Sequence, residues 1–505
     1  MKRSSGFRVT VVLGISLAGC APGHFGDAVN YYADQHGVGD AAARRTRGCW
    51  YLRFNELMLS DLDEAIRRGQ EGDEAELRRQ GLQAIRAAHG LAVQSASGEI
   101  ERLPEPGRRA LAERCRCEPT AEALKAAYAR QAQEAFQAEL ARLEAQPPGR
   151  LLADLKALRA RVEPAPDDKG RAGRQLLFAW GALPARLGVE MVESDLERKR
   201  AQRAGKVYEQ AAVWRLRGRA TQDELLVRYA PTIVIEWPAR RDYPADFDRF
   251  GEIYLTGDPQ RIQVNVNTSR PMVYAYRGEA KIRERRYPQL VYVWWYPFHP
   301  EMTRNDPASG RIDGDTLRVT LDGHGRPAVF EVIQSCGCGH LVFVSQQIED
   351  QARREFGAPE PGKSLCVEHD VSGKRDLIVM GAVSVPEGEA HPVVYVLAGY
   401  HEVSAIDLES ADRRLDLREV ESGAYDLTDY DVLERLPLGS GVASMFGPDG
   451  LVHNAARTEG YLLAPTGILS AGQPRKRGTQ KIRWDEFSFD DPRLLEKTLR
   501  FPSSF

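Results

Sequence analysis

Beyond its first twenty residues, this chain of 505 has no apolar run approaching the roughly twenty residues that a membrane-spanning helix requires. Nor does it carry an excess of either charge. Lys+Arg number 69 against 72 for Asp+Glu, so no overall field points to nucleic acid, and no nucleic-acid partner is expected. It also lacks the Gly-x-Ser-x-Gly elbow and the His-Glu-x-x-His helix, which removes two common hydrolase classes. What remains is a chain 42% hydrophobic and 28% charged, able to bury a large core and long enough for more than one domain.

The first twenty residues are the most specific. Lys2, Arg3 and Arg8 form a basic head, Val9 to Ala18 an uncharged apolar run, and Leu17-Ala18-Gly19-Cys20 closes it. This is the layout of a secretory signal, and the cysteine at the cut site makes it resemble a bacterial lipobox. Residues 1–19 are then a lipoprotein signal peptide, and Cys20 takes a diacylglycerol thioether and an amide-linked acyl chain such as palmitate. Residues 20–27 form the lipidated tether. Acyl chains contribute about 0.8 kcal/mol per buried CH₂, enough with two or three chains to hold the body on a membrane. Ala21 stands where an Asp would resemble an inner-membrane retention signal, so the expected location is the cell envelope at the outer membrane. The other six cysteines, Cys49, Cys115, Cys117, Cys336, Cys338 and Cys366, are an even number in an oxidising compartment and read first as disulfides.

From 28 to 220 the apolar period is helical, as in Trp50, Phe54, Leu57, Met58 and Leu62, or Leu124, Tyr128, Ala132, Phe136 and Leu140. Further helical segments are expected at Asp73–Val93, Leu151–Val162 and Leu187–Leu216, with breaks at Pro104–Gly107 and Pro164–Pro166. Short connections between such helices imply an antiparallel bundle. Cys115-Arg116-Cys117 reads as a partner of Cys49 or the start of a metal site. Thr221-Gln222-Asp223-Glu224 has capping-box spacing for a last short helix. From 221 to 410 the period changes to two, with strands such as Thr232–Trp237, Leu290–Tyr296, Leu317–Leu321 and Leu341–Ser345 separated by turn formers. The expected class is α+β and multidomain: a helical bundle at 28–220, an antiparallel β-sandwich at 221–410, and a loop-rich extension at 411–505.

Several phrases in the β half occur in a set order: Arg228-Tyr229-Ala230-Pro231, Tyr243-Pro244-Ala245-Asp246, Val293-Trp294-Trp295-Tyr296-Pro297-Phe298, Asp313-Gly314-Asp315 and Gly399-Tyr400-His401. Over about 225–405 they resemble the β-sandwich family related to a vacuolar protein-sorting protein, itself similar to the necrosis-inducing toxin-like proteins. That resemblance implies a sandwich fold. In the toxin-like group a His-Asp-Trp-Glu motif supplies a divalent metal and a lipid-headgroup contact. Here only the carboxylates Asp313 and Asp315 match, since Arg311-Ile312 precede them and Thr316-Leu317 follow.

The sharpest local feature is Ser335-Cys336-Gly337-Cys338-Gly339-His340. Two thiols and an imidazole suit zinc or copper(I). On a straight strand their i, i+2 spacing of about 6.6 Å is too wide for one ion, and the glycines must supply a bend. The alternatives are a disulfide from Cys336 or Cys338 to Cys366, and a redox Cys-x-Cys pair. His299, Asp313, Asp315, His340, His391 and His401 all fall at expected strand ends. Gathered at one rim, they form a cleft able to bind a divalent cation or activate water. The aromatic run Trp294–Phe298 reads as core, with alternate members buried. Two functions stand: a lipid-anchored envelope protein with a binding or structural role toward glycan, lipid or protein, and a metal-dependent hydrolase using the strand-end His, Asp and Cys groups.

Overall fold

A computed structural model describes residues 24–163, 208, 210–219, 221–337, 339–361, 363–369, 378–386, 388, 390–410, 418–463, 473–482 and 487–505. The signal peptide, Cys20, the start of the tether, Cys338 and most of the helix expected at Leu187–Leu216 lie outside the described residues.

The N-terminal part is a layer of helices: α1 (His24–Gln35), α2 (Glu56–Gln70), α3 (Glu74–Arg102), α4 (Glu105–Cys115), α5 (Ala121–Glu144) and α6 (Pro148–Arg161). The caps are in the sequence. Asn55, Asp73 and Thr120 each accept a backbone N–H of the first turn, and Pro147 precedes α6. A two-residue ladder of β1 (Arg44–Arg45) and β2 (Arg53–Phe54) interrupts the helices. Arg53, fully buried, donates to Glu99 of α3 at 2.7 and 2.8 Å.

The expected antiparallel bundle followed by an antiparallel sandwich is not what forms. The helices are tied to the rest of the chain by ion pairs. Lys476 meets Asp40 at 2.7 Å, Arg286 meets Asp61 at 2.6 Å, and Arg102 donates to the carbonyl of Val38 beside Glu434. Residues Gln210–Arg219, placed inside the helical half by their Ala, Leu and Arg content, are strand β3. The short helix α7 (Glu224–Arg228) does form, with Asp223 rather than Thr221 as its cap. The strands that follow are β4 (Thr232–Glu236), a separate hairpin of β5 (Glu252–Asp258) and β6 (Arg261–Asn267), β7 (Met272–Ile282), β8 (Arg285–His299), β9 (Gly310–Leu321), β10 (Pro327–Gln334), β11 (Leu341–Ser345), β12 (Ile378–Val383), β13 (Ala390–Val396), β14 (Val403–Ser410) and β15 (Arg418–Asp429).

One mixed sheet of 11 strands, in the order β12-β11-β10-β9-β8-β7-β15-β3-β4-β13-β14, replaces the sandwich. Four neighbouring pairs are parallel: β11/β12, β4/β13, β3/β15 and β7/β15. The outermost strands β12 and β14 approach each other, so the sheet curls until it nearly closes. β15, from the segment expected to be loop, sits in its interior. Strand β8 shows why two-layer logic failed. Its residues from Leu290 to Tyr296 are all buried, because alternate side chains enter different cores. Leu290, Tyr292, Trp294 and Tyr296 face the inside of the curl, whereas Val291, Val293 and Trp295 pack with Met445 and Phe446 of the C-terminal region. Both faces of the aromatic run are covered, which corrects the expectation that only alternate members are buried. Among the described residues no helix is long and apolar enough to cross a membrane.

Candidate functional site

Strand β9 carries the site. Asp313 and Asp315 lie on the same strand face as Leu317, Val319 and Leu321, which face the inner core. Two carboxylates thus stand at the end of an apolar row, opposite Tyr296 and Trp294 respectively on β8. The residue before Asp313 is distorted: Ile312 has φ +52°, a left-handed conformation costing a β-branched residue about 1–2 kcal/mol. It lies across from Pro297, which has no N–H to give the ladder. The released carbonyl of Ile312 accepts from Arg457 at 3.0 Å.

Asp313 is fully buried and organises the groups around it. Its Oδ2 accepts from His299 Nδ1 at 2.7 Å and from His401 Nδ1 at 2.9 Å, and its Oδ1 accepts from the Arg457 guanidinium at 2.8 Å. Burial opposes ionisation, but the Arg457 and His299 charges and the imidazole hydrogen bonds outweigh it, holding the carboxyl well below its usual range. His299 ends β8. His401 sits in the β13–β14 turn with φ +48°, a second left-handed non-glycine residue. Its other nitrogen, Nε2, faces Asp248 Oδ1 at 3.4 Å, an ion-pair distance without hydrogen-bond alignment. Burial alone would lower the His401 pKa, yet the two flanking carboxylates push it up to about 9.

Asp248, at the end of a short 3₁₀ turn (Ala245–Asp248), is fixed by the Gly399 N–H at 2.7 Å, the Tyr243 hydroxyl at 3.1 Å and Arg241 at 2.9 Å. One ligand atom each from His299, Asp313 and His401 lies within 4.8 Å of the others, and among the described residues this is the group of three such donors that can share a metal ion. Asp313 and His401 are closed to solvent, while His299 keeps 5% exposure.

Asp315 is brought close but differs in environment. It is fully buried, and neither oxygen meets a donor in hydrogen-bond geometry. Burial first, then the negative charge of Asp313, drives its pKa well above the usual value.

Cys336 and His340 do not act as one ligand set. The Ser335 N–H donates to the Gly314 carbonyl at 2.7 Å, so Cys336 is held beside the Asp313-Gly314-Asp315 segment. Gly337, at φ +88°, then turns the chain. His340 points elsewhere, to Glu331 at 3.0 Å on the opposite sheet face, where Glu331 also holds Arg318 at 2.7 Å. Cys336 and Cys366 carry free thiols, and Cys366 donates to the Gly357 carbonyl, so the disulfide expected between them is not formed. Cys49 is likewise a free thiol. His391 is partly exposed near Glu409 and takes no part.

Two groups of the site were not singled out from the sequence. Asp248 lies just past the phrase Tyr243–Asp246, and Arg457 sits in the unassigned tail with no pattern around it. A further pattern, Gly357-Ala358-Pro359-Glu360-Pro361-Gly362-Lys363-Ser364, has the spacing of a phosphate-binding loop. It follows a helix (α8, Gln346–Phe356) rather than a strand. The amides of Ser364 and Leu365 are taken by Glu368 Oε1 at 2.8 and 2.9 Å, so they do not cradle a phosphate. Comparison with protein-family models, curated proteins and solved structures finds no match.

Proposed function

We propose that this chain is a lipid-anchored cell-envelope protein that binds zinc or another divalent cation through His299, Asp313 and His401 and uses it for hydrolysis. The observation that carries the reading is the convergence of two imidazoles and one carboxylate on a common point. Asp248 behind His401 supports it, since metal-bound histidines commonly give their second nitrogen to a carboxylate that fixes the ring. Three protein donors also leave a fourth position for water, the pattern of catalytic rather than structural zinc. Bound there, such an ion supplies Lewis acidity and a water of lowered pKa. The chain's own residues would do the rest. Asp248 orients the His401 ring, Arg457 takes the second oxygen of Asp313, and Tyr296 covers one face of His401.

The anchor rests on the Leu17–Cys20 lipobox. The near-complete closure of Asp313 and His401 favours a second reading, in which the ion staples the sheet and the protein binds glycan, lipid or protein at the envelope.

The test is metal content of the Cys20→Ser chain together with turnover of chromogenic carboxylic and phosphoric esters. One equivalent of zinc, lost in His299→Ala and His401→Gln along with chelator-sensitive turnover, is expected. Zinc without turnover selects the binding reading, and a folded chain that takes up no divalent ion overturns the proposal.

A further inference from the structure

We infer that the cleft between helix α3 and strands β7 to β9 binds a neutral saccharide. The inference is independent of the metal reading, because His299, Asp313 and His401 do not line this cleft.

The cleft holds about 530 Å³, within the range of about 300–1,000 Å³ usual for small-molecule sites. One wall is made of two cross-strand rows, Tyr276–Val291–Arg318 and Gly278–Gln289. Gln289 gives its Nε2 to Thr320 at 3.1 Å, which leaves its Oε1 over. Gly278 opposite has no side chain to cover that oxygen, and a Cβ there would stand 3.3 Å from it. The other wall is one face of α3, formed by Ala87, Gly90, Leu91 and Gln94 at helical spacing and without charge. Ile85, Ala88, Ala92 and Ala96 are buried on the rest of that helix. A Cβ added at Gly90 would meet nothing within 4 Å. Glycine in a helix interior is less favourable than alanine, so helix stability does not account for it there.

Charge decides the class of ligand. Acidic and basic side chains line the cleft in near-equal number, and all but Asp490 already meet an opposite charge. Lys476 meets Asp40 and Glu434 at 2.7 Å each, and Arg318 meets Glu331 at 2.7 Å. An ionic ligand would have to break such a pair. Four groups remain unclaimed among the described residues: the Tyr276 hydroxyl, the Gln94 amide, Gln289 Oε1 and one oxygen of Asp490. The other Asp490 oxygen takes the Gly478 N–H at 2.7 Å, and the Arg477 guanidinium lies over the Tyr276 ring at 4.6 Å. A hydroxyl and an amide both donate and accept, and two acceptors accompany them, which complements a ring whose hydroxyls do both. An anion can use only the donors, and an ammonium group only the acceptors. Leu57, Met58 and Leu91 supply apolar surface for the C–H faces of the ring.

The experiment is saturation-transfer NMR and fluorescence titration of the full-length Cys20→Ser chain. The probes are neutral mono-, di- and trisaccharides of glucose, galactose, mannose and N-acetylglucosamine. At least one should bind saturably. Gly90→Leu grows a side chain into the open space and should weaken binding by about tenfold or more, without lowering the thermal midpoint. Tyr276→Phe removes only the hydroxyl and should weaken it several-fold. Chelation with EDTA should leave the affinity unchanged, so failure of the metal reading does not touch this result. No saturable binding to a folded chain, or binding that survives both substitutions, overturns the inference. Loss of binding on chelation does so too, as does tighter binding of glucose phosphate or of glucosamine, which carry an anion and a cation.

Discussion

His401 lies flat against Tyr296, with ring centroids 3.9 Å apart and planes 9° from parallel. The stack fixes the imidazole plane so that one nitrogen points at Asp313 and the other at Asp248. His401 is held in left-handed backbone geometry, which costs a non-glycine residue about 1–3 kcal/mol, by this aromatic face and the two carboxylates.

Asp313→Asn should be strongly destabilising. It keeps the side-chain volume but leaves the buried Arg457 guanidinium facing a neutral amide. Removing one partner of a buried ion pair costs about 3–5 kcal/mol. A lower urea midpoint with the slope unchanged, the two together giving that loss of unfolding free energy, is expected. An unchanged midpoint would show that Arg457 does not depend on this carboxylate.

Glu331 should account for part of the acid sensitivity. Burial raises its pKa, but the Arg318 charge and the hydrogen bonds from His340 and Arg318 overcome this and bring it down to about 2 from an ordinary 4.5. Because the folded value lies below the unfolded one, the stabilisation is whole above about pH 4.5 and is lost as pH falls toward 2. Glu331→Gln should therefore be less stable at neutral pH and lose less on acidification. Urea midpoints measured across that window check the slope, and parallel curves for both proteins would refute it.

Gly314→Ala should disturb the site, since an added Cβ would stand 2.6 Å from the Trp294 carbonyl oxygen and 2.8 Å from a Trp295 ring carbon. Overpacking of this kind costs about 1–3 kcal/mol. Gly381→Ala in β12 meets nothing within 4 Å and is the matching control. Thermal melts should separate the two. Equal shifts would mean that the β8–β9 contact gives way freely.

If Cys20 carries the proposed acyl chains, Cys20→Ser should move the protein from the membrane fraction to the soluble fraction and abolish palmitate labelling, because those chains would supply the anchoring energy. Fractionation after expression in a bacterial host checks this. Continued sedimentation with membranes would place the attachment elsewhere in the chain.

Much of the strand content was legible because period-two patterns mark half-buried strands, and Thr232–Glu236, Leu341–Ser345 and the Ala390–Val396 strand stand close to their expected limits. The arrangement was not. Leu290–Tyr296 is apolar on both faces, which a pattern cannot distinguish from one thick core. β15 exposes most of its charged residues and buries chiefly Tyr425 and Leu427, so it carries little alternation to read. At the site, His299, Asp313 and His401 were expected together at strand ends; His299 ends β8 and His401 sits in a turn, but Asp313 lies inside β9. Grouping Cys336 with His340 failed because one turn at Gly337 sends them to different faces. Arg457 was invisible, since only the fold brings it to Asp313.

β15 also sets a timetable. It is among the last long elements to leave the ribosome, yet its place is between β7 and β3, each of which was made earlier and waits with an unpaired border. A nascent chain that has reached residue 410 holds two sticky margins and no way to join them. Closure of the sheet therefore waits until β15 has been made, and a chain truncated before Arg418 should aggregate rather than fold as a shortened sheet.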